Sequence, residues 1–158
     1  MYAAVGRKPA LLRELVETSI SGTDRAVPAE ERDYVRRIRA ATTAREKLGV
    51  YADAVAGIGQ RHAPVFLALR DAAATDADCA ALRREIAERR AGNMLLLAAD
   101  LRATGELRAD LSDREVADIV WSMNAAECYV LLAHERGWPS QRFGAWLADA
   151  WSRLLLDS

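Results

Sequence analysis

Cysteine is scarce in this chain: Cys79 and Cys128 stand far apart and in no C-x-x-C pair, so neither a disulfide framework nor a thiol redox motif is expected. Histidine is equally rare, and a closed metal site would need His62, His134 and both cysteines to converge, so no metal and no cofactor is expected. Runs of β-branched residues are missing, which excludes a sheet. No apolar run approaches the roughly 18 residues of a membrane span, and no charged-then-apolar segment with a cleavage site opens the chain. The expectation is therefore a cytoplasmic protein with free thiols and no membrane partner. Excess positive charge is missing too: 22 basic against 23 acidic side chains leave a net charge of -1, too little to hold nucleic acid by phosphate neutralisation.

What the chain has is length for one domain and the pattern of helices. Its 158 residues, 51% hydrophobic, suffice for a core without staples. Apolar positions recur with a period near 3.6, which predicts an all-α fold of six main helices. The first begins at Pro9, a favoured opening residue, and carries Leu11, Leu12, Leu15, Val16 and Ile20 to a stop before Gly22. A short helix with Tyr34, Val35 and Ile38 follows Pro28. The third opens on the capping box Thr43-x-x-Glu46 and aligns Leu48, Tyr51, Ala52, Val55, Ile58 and Gly59 up to His62, where Pro64 is expected to kink or break it. A separate short helix with Val65, Phe66 and Leu69 comes next. The segment from Asp76 to Thr104 buries Cys79, Leu82, Ile86, Leu97 and Leu101. A second capping box, Ser112-x-x-Glu115, starts a helix expected to run to His134 or Glu135, and the last helix spans about 140–156.

The C-terminal third is unusual. Between Val116 and Ala133 the helix is apolar nearly all round, so something must cover a second side. All four tryptophans fall here: Trp121, Trp138, Trp146 and Trp151. Trp146, Ala150, Trp151 and Leu154, with Ala125, Ala126, Tyr129 and Ala133, suit a four-helix dimer interface of aromatic and small residues. The alternative is that both helices pack only within a monomer.

Catalytic signatures fail individually, so no enzyme is expected. Gly57-Ile58-Gly59 begins like a dinucleotide loop, but His62 takes the place of the third glycine. His134-Glu135 begins like a zinc-protease helix, but Trp138 stands where the second ligand belongs. The polar interruptions of apolar stripes are more telling. His62 can serve as a core or capping residue at the Pro64 break. Arg90 and Asn93, with Asn124 and Glu127, form either an internal Arg90–Glu127 ion pair or polar anchors in an apolar pocket. Arg36, Arg37 and Arg39 read as a solvated helix face, and His134 as a helix C-terminal residue.

The segment Tyr2-Ala3-Ala4-Val5-Gly6-Arg7-Lys8-Pro9-Ala10-Leu11-Leu12 resembles the end of the TetR-type helix-turn-helix. Gly105-Glu106-Leu107-Arg108, Ser112-Asp113-Arg114-Glu115-Val116-Ala117-Asp118, Trp121, and Arg136-Gly137-Trp138 to Trp146-Leu147 resemble the C-terminal effector and dimerisation domain of a TetR subfamily. Val5 replaces the usual aromatic and Pro9 an acidic residue. By this likeness residues 1–8 are a remnant of the recognition helix and turn, and 9–158 an effector-binding and dimerisation domain. The first two helices and most of the recognition helix are missing, so the chain as written is expected not to bind an operator.

The resemblance implies a ligand-responsive transcriptional regulator, a homodimer formed by a four-helix bundle of the last two long helices. Tyr2 and Lys8 match positions that touch DNA phosphates, and operator DNA would be reached only through the missing helix-turn-helix. The effector cavity is expected between Thr43 and Leu131, lined by Tyr51, Val55, Ile58, His62, Phe66, Arg90, Met94, Trp121, Asn124 and Cys128. Such a wall suits a small lipophilic or aromatic effector carrying an acceptor or acid group. The competing expectation is a headless helical adaptor with no ligand of its own, whose core would be packed solid.

Overall fold

Helix caps written in the sequence set where the chain turns. Thr43 Oγ1 accepts the Glu46 N–H at 3.1 Å while the Glu46 carboxylate accepts the Thr43 N–H at 3.1 Å, and Ser112 and Glu115 repeat the reciprocal pattern at 3.2 and 2.8 Å. Asp76 accepts the N–H groups of Asp78 and Cys79, both at 2.9 Å, and so caps the helix that follows it. Gly105 and Gly137, at φ 77° and 69°, turn the chain after two helical stretches in the left-handed region that favours glycine.

The computed structural model describes residues 8–21 and 29–158, and these form seven α-helices. They are α1 (Lys8–Ser21), α2 (Asp33–Ala40), α3 (Ala44–Ala73), α4 (Ala77–Arg102), α5 (Asp113–Met123), α6 (Ala126–Tyr129) and α7 (Ser140–Leu155). A 3₁₀ turn, Ala29–Glu31, leads into α2, and a π-helical stretch, Val130–Glu135, prolongs α6. Among the described residues there is no strand, only a bridge between Leu107 and Leu156 that ties the chain end to the α4–α5 turn. No single described helix is long and apolar enough to cross a membrane.

The long helix α3 is the axis of the fold, touched by α1, α2, α4, α6 and α7. The larger core lies where α3 and the end of α4 meet α5 and α7, with Leu48, Leu101, Val116, Val120, Phe143, Leu147, Trp151 and Leu155 out of water. A smaller core joins α1 to the α3–α4 turn through Leu12, Val16, Leu69, Cys79 and Leu82. The Arg13 guanidinium clamps the Glu85 carboxylate at 2.6 and 2.8 Å on the same side. Lys47, buried, donates to the Ile38 carbonyl at 2.8 Å and pairs with Asp100 at 2.9 Å, which fixes the end of α2 against α3 and α4. Gly59 lets α6 lie directly on α3: a Cβ there would fall 2.5 Å from the Tyr129 ring.

Two expectations about continuity are corrected. Pro64 does not break α3, which runs unbroken from Ala44 to Ala73. A proline deletes one helical hydrogen bond, but Ala63 is fully buried and Val65 and Leu69 pack on Leu12, Val16 and Leu82, so tertiary contact carries the helix past it. The helix expected from Ser112 to His134 is interrupted instead at Asn124 and Ala125, where Ala125 is extended (φ -65°, ψ 145°) and the axis bends by 44°. The Arg90 side chain supplies the reason. It donates to the Trp121 carbonyl at 3.1 Å and to Asn124 Oδ1, taking the place of the helical partner lost at the break.

Two residues assigned to a dimer face are corrected as well. Trp151 is fully buried and stacks on Tyr51 with ring centroids 5.6 Å apart, and Tyr129 is buried edge-on to Phe143 at 5.1 Å. Both serve the protomer's own core, because the α7 stripe that carries Trp151 faces α3. Ala125 and Ala126 border a cavity. Of the remaining assignments, Leu154 is 43% exposed, while Ala133, Trp146 and Ala150 are half-buried.

Candidate functional site

Between the two cores α3, α4 and the bend between α5 and α6 border an open space. The space left is a cavity of about 1300 Å³. That exceeds the roughly 300–1,000 Å³ of ordinary small-molecule pockets. Tyr51, Val55, Ile58, His62, Phe66, Arg90, Met94, Trp121, Asn124 and Cys128 all lie on its wall. The five on α3 fall at intervals of three or four residues and so form one stripe, about 22 Å from Tyr51 to Phe66 at the helical rise.

At the Tyr51 end the polar groups form one network. Asn124 donates from Nδ2 to the Tyr51 hydroxyl at 2.7 Å and lies 3.2 Å from Met94 Sδ, while its Oδ1 accepts from Arg90. The Arg90 guanidinium also stands 5.3 Å from the centre of the Trp121 ring, and the Trp121 indole N–H donates to the Ala87 carbonyl at 3.3 Å. Burial pushes the Tyr51 phenol far above its ordinary range and pulls the Arg90 guanidinium below its own. Of the two alternatives for Arg90, the ion pair with Glu127 is not formed. Glu127 pairs with Arg83 at 3.4 Å, and Arg83 stands 5.9 Å from the Phe66 ring centre.

At the Phe66 end, His62 Nδ1 lies 2.9 Å from Ser19 Oγ of α1, and Ser19 Oγ donates to the Val16 carbonyl at 2.8 Å. With the hydroxyl proton assigned to the Val16 carbonyl, His62 donates from Nδ1 and its Nε2 is bare. That wiring runs opposite to a serine nucleophile with a histidine base, in which the hydroxyl donates to the imidazole. Burial, and then the charge of Arg90, push the His62 pKa down to about 4, so the ring is neutral at pH 7. His62 therefore binds α1 rather than filling the helix break expected at Pro64. The Arg61 guanidinium adds a second tie, from Nε to the Ser19 carbonyl at 3.0 Å.

Several wall residues lay outside the ten. Arg83, Ile86, Ala87, Asn93 and Leu97 join Arg90 and Met94 on the side of α4 that faces α3 and α5. Their spacing of three and four residues was a usable signal, obscured because charged residues alternate with apolar ones along it. Leu131, at the π-helical stretch, also borders the cavity and is 54% exposed. Arg36, Arg37 and Arg39 are exposed on α2, and His134 lies in the last turn of the π-helical stretch, edge-on to Tyr129. Lys8 is exposed at the start of α1, while Tyr2 lies outside the described residues. Among the described residues no three His, Cys, Asp or Glu side chains are grouped to hold a metal ion. Compared with known proteins, the chain matches no family model, no curated protein and no solved structure.

Proposed function

We propose that this chain is the small-molecule-binding and dimerisation core of a ligand-responsive transcriptional regulator of the TetR type. The observation that carries the reading is the cavity of about 1300 Å³, walled by apolar and aromatic side chains together with a set of charged ones. A headless adaptor would have that space filled. The ligand is a lipophilic or aromatic small molecule, and its contact with His62 stands one hydrogen bond from Ser19 of α1. In a regulator of this type α1 joins the core to the reading head. A ligand that displaces the His62 ring would therefore shift α1 and with it the spacing of two heads in a dimer, lowering operator affinity. Dimerisation would use the exposed side of α7 and the π-helical stretch, where Leu131 and Leu154 face water and Trp146 meets Trp138 edge-on at 6.0 Å. The part of the interface once expected from Trp151 and Tyr129 is not included.

Light scattering on the purified chain, with a thermal-shift screen of lipophilic and aromatic compounds, tests this. The expected mass is about twice 17.3 kDa. A ligand at a hundred times its Kd should add about 2.7 kcal/mol, raising the midpoint by about 5–10 °C. A monomer that no compound stabilises would remove both the interface and the ligand from the account.

A further inference from the structure

The wall of the cavity has a charge of its own. Seven arginines border it against two glutamates and one aspartate, although the whole chain carries a net charge of -1. Two of the acids are already engaged, Asp100 by Lys47 and Glu127 by Arg83. Arg32 and Arg89 share Glu17, and Arg70 meets Asp71. Arg90 differs from these. It is half-buried, yet no carboxylate among the described residues lies within ion-pair distance of it. Its Nη2 is spent on the Trp121 carbonyl and Asn124 Oδ1, both uncharged, while Nε and Nη1 have no acceptor among the described residues. A guanidinium stays protonated, and one partly withdrawn from water without a countercharge favours an anion beside it. The low-dielectric walls around it concentrate the positive field on the space in front.

We infer that the cavity takes a lipophilic carboxylic acid, bound as its anion with the carboxylate on Arg90 and the apolar body along Val55, Ile58 and Phe66. This rests on the ligand-binding reading above and names the class of ligand. Of the three lining arginines with no carboxylate in ion-pair distance among the described residues, Arg39 and Arg84 are exposed and Arg90 is half-buried, so one withdrawn guanidinium matches one negative charge, and its Nε and Nη1 offer charge-assisted donors. The α3 stripe runs about 16 Å from Val55 to Phe66, which gives the apolar body its length. At the far end His62 presents Nε2 as an acceptor, a place for a hydroxyl or N–H of the ligand. Arg90 also caps the break between α5 and α6 through Nη2, so a carboxylate on Nε and Nη1 sits beside that cap and links occupancy to the bend.

Isothermal titration of the full chain with decanoate against decanamide, and para-butylbenzoate against para-butylbenzamide, isolates the charge, since each pair differs in little else. The acids should bind about tenfold or more tighter than their amides, as a charge-assisted bond replaces a neutral one. In Arg90→Gln that preference should fall to within about twofold while amide binding persists, and Arg90→Lys, which keeps the charge, should retain part of it. Thermal melting of each variant establishes that it folds, and the unmodified chain tests the charge preference whether or not they do. Equal affinity for acid and amide would overturn the carboxylate inference and leave a ligand-binding domain standing. Binding of neither pair would overturn it too, and the ligand-binding reading falls with it only when the broader compound screen is also empty.

Discussion

Replacing Trp151 with alanine should lower the unfolding free energy by about 3–5 kcal/mol, the range for removing a large aromatic side chain from a packed core. Trp151 has 0% of its surface exposed and stacks on Tyr51, whose hydroxyl accepts the Asn124 amide of the cavity network. The loss should therefore reach the ligand site as well, by freeing Tyr51 to move. Phenylalanine is the informative control. The Trp151 indole N–H is buried without a hydrogen-bond partner, a state that costs about 1–3 kcal/mol in the native protein. Trp151→Phe gives up packing volume but also removes that orphan donor, so it should cost less than half as much as Trp151→Ala. Urea midpoints of the three proteins decide it. If Trp151→Ala left stability unchanged and instead weakened self-association, Trp151 would belong to an interface and the core described here would be wrong.

The second large effect is a pH dependence centred on His62. Its pKa falls from an ordinary 6.5 to about 4 in the folded chain, first through burial and then through the Arg90 charge, with Glu127 opposing weakly. Between these values the unfolded chain binds the proton that the folded one refuses, so stability is complete above pH 6.5 and is lost as pH falls toward 4. The loss should be about 2 kcal/mol at pH 5 and about 3 kcal/mol near pH 4. Carboxylates held below their ordinary range, such as Glu85 beside Arg13 and Asp76 at the α4 cap, titrate at more acid pH. Thermal unfolding of the wild type and His62→Gln between pH 7 and pH 4.5 isolates the imidazole: the wild type should lose more stability than the variant over this span. Parallel curves would mean that the His62 ring is hydrated and does not close on Ser19.

Much of this molecule was legible because its signals are local. The capping boxes at Thr43 and Ser112, the stops at Gly105 and Gly137, and the apolar stripe of α3 need only neighbouring residues. The same stripe, read alongside Arg90, Asn124 and Cys128, led to ten residues that border one cavity. What was not legible depends on residues far apart. Nothing near Asn124 announces a break, because the group that stabilises it is Arg90, on another helix and 34 residues away. Pro64 carries a strong local signal for a break, and it is overruled by contacts with α1. Arg90 and Glu127 looked like natural partners, yet Arg83 takes the carboxylate, and helix register decides that choice. The α7 stripe of Trp146, Ala150, Trp151 and Leu154 mixes buried and exposed positions, since apolar spacing reveals a buried face but not whether a protomer or its copy covers it.

The central claim is that the cavity is a site for a lipophilic small molecule, and filling it is the most direct test. Calorimetric titration with the lipophilic anion anilinonaphthalene sulfonate should give one saturable site per protomer in the wild type. Ile58→Trp, whose added ring projects from the cavity wall into open space, should keep the melting temperature within a few degrees and lose that site. An unchanged isotherm in the plugged variant, or no saturable binding in either protein, would contradict the claim.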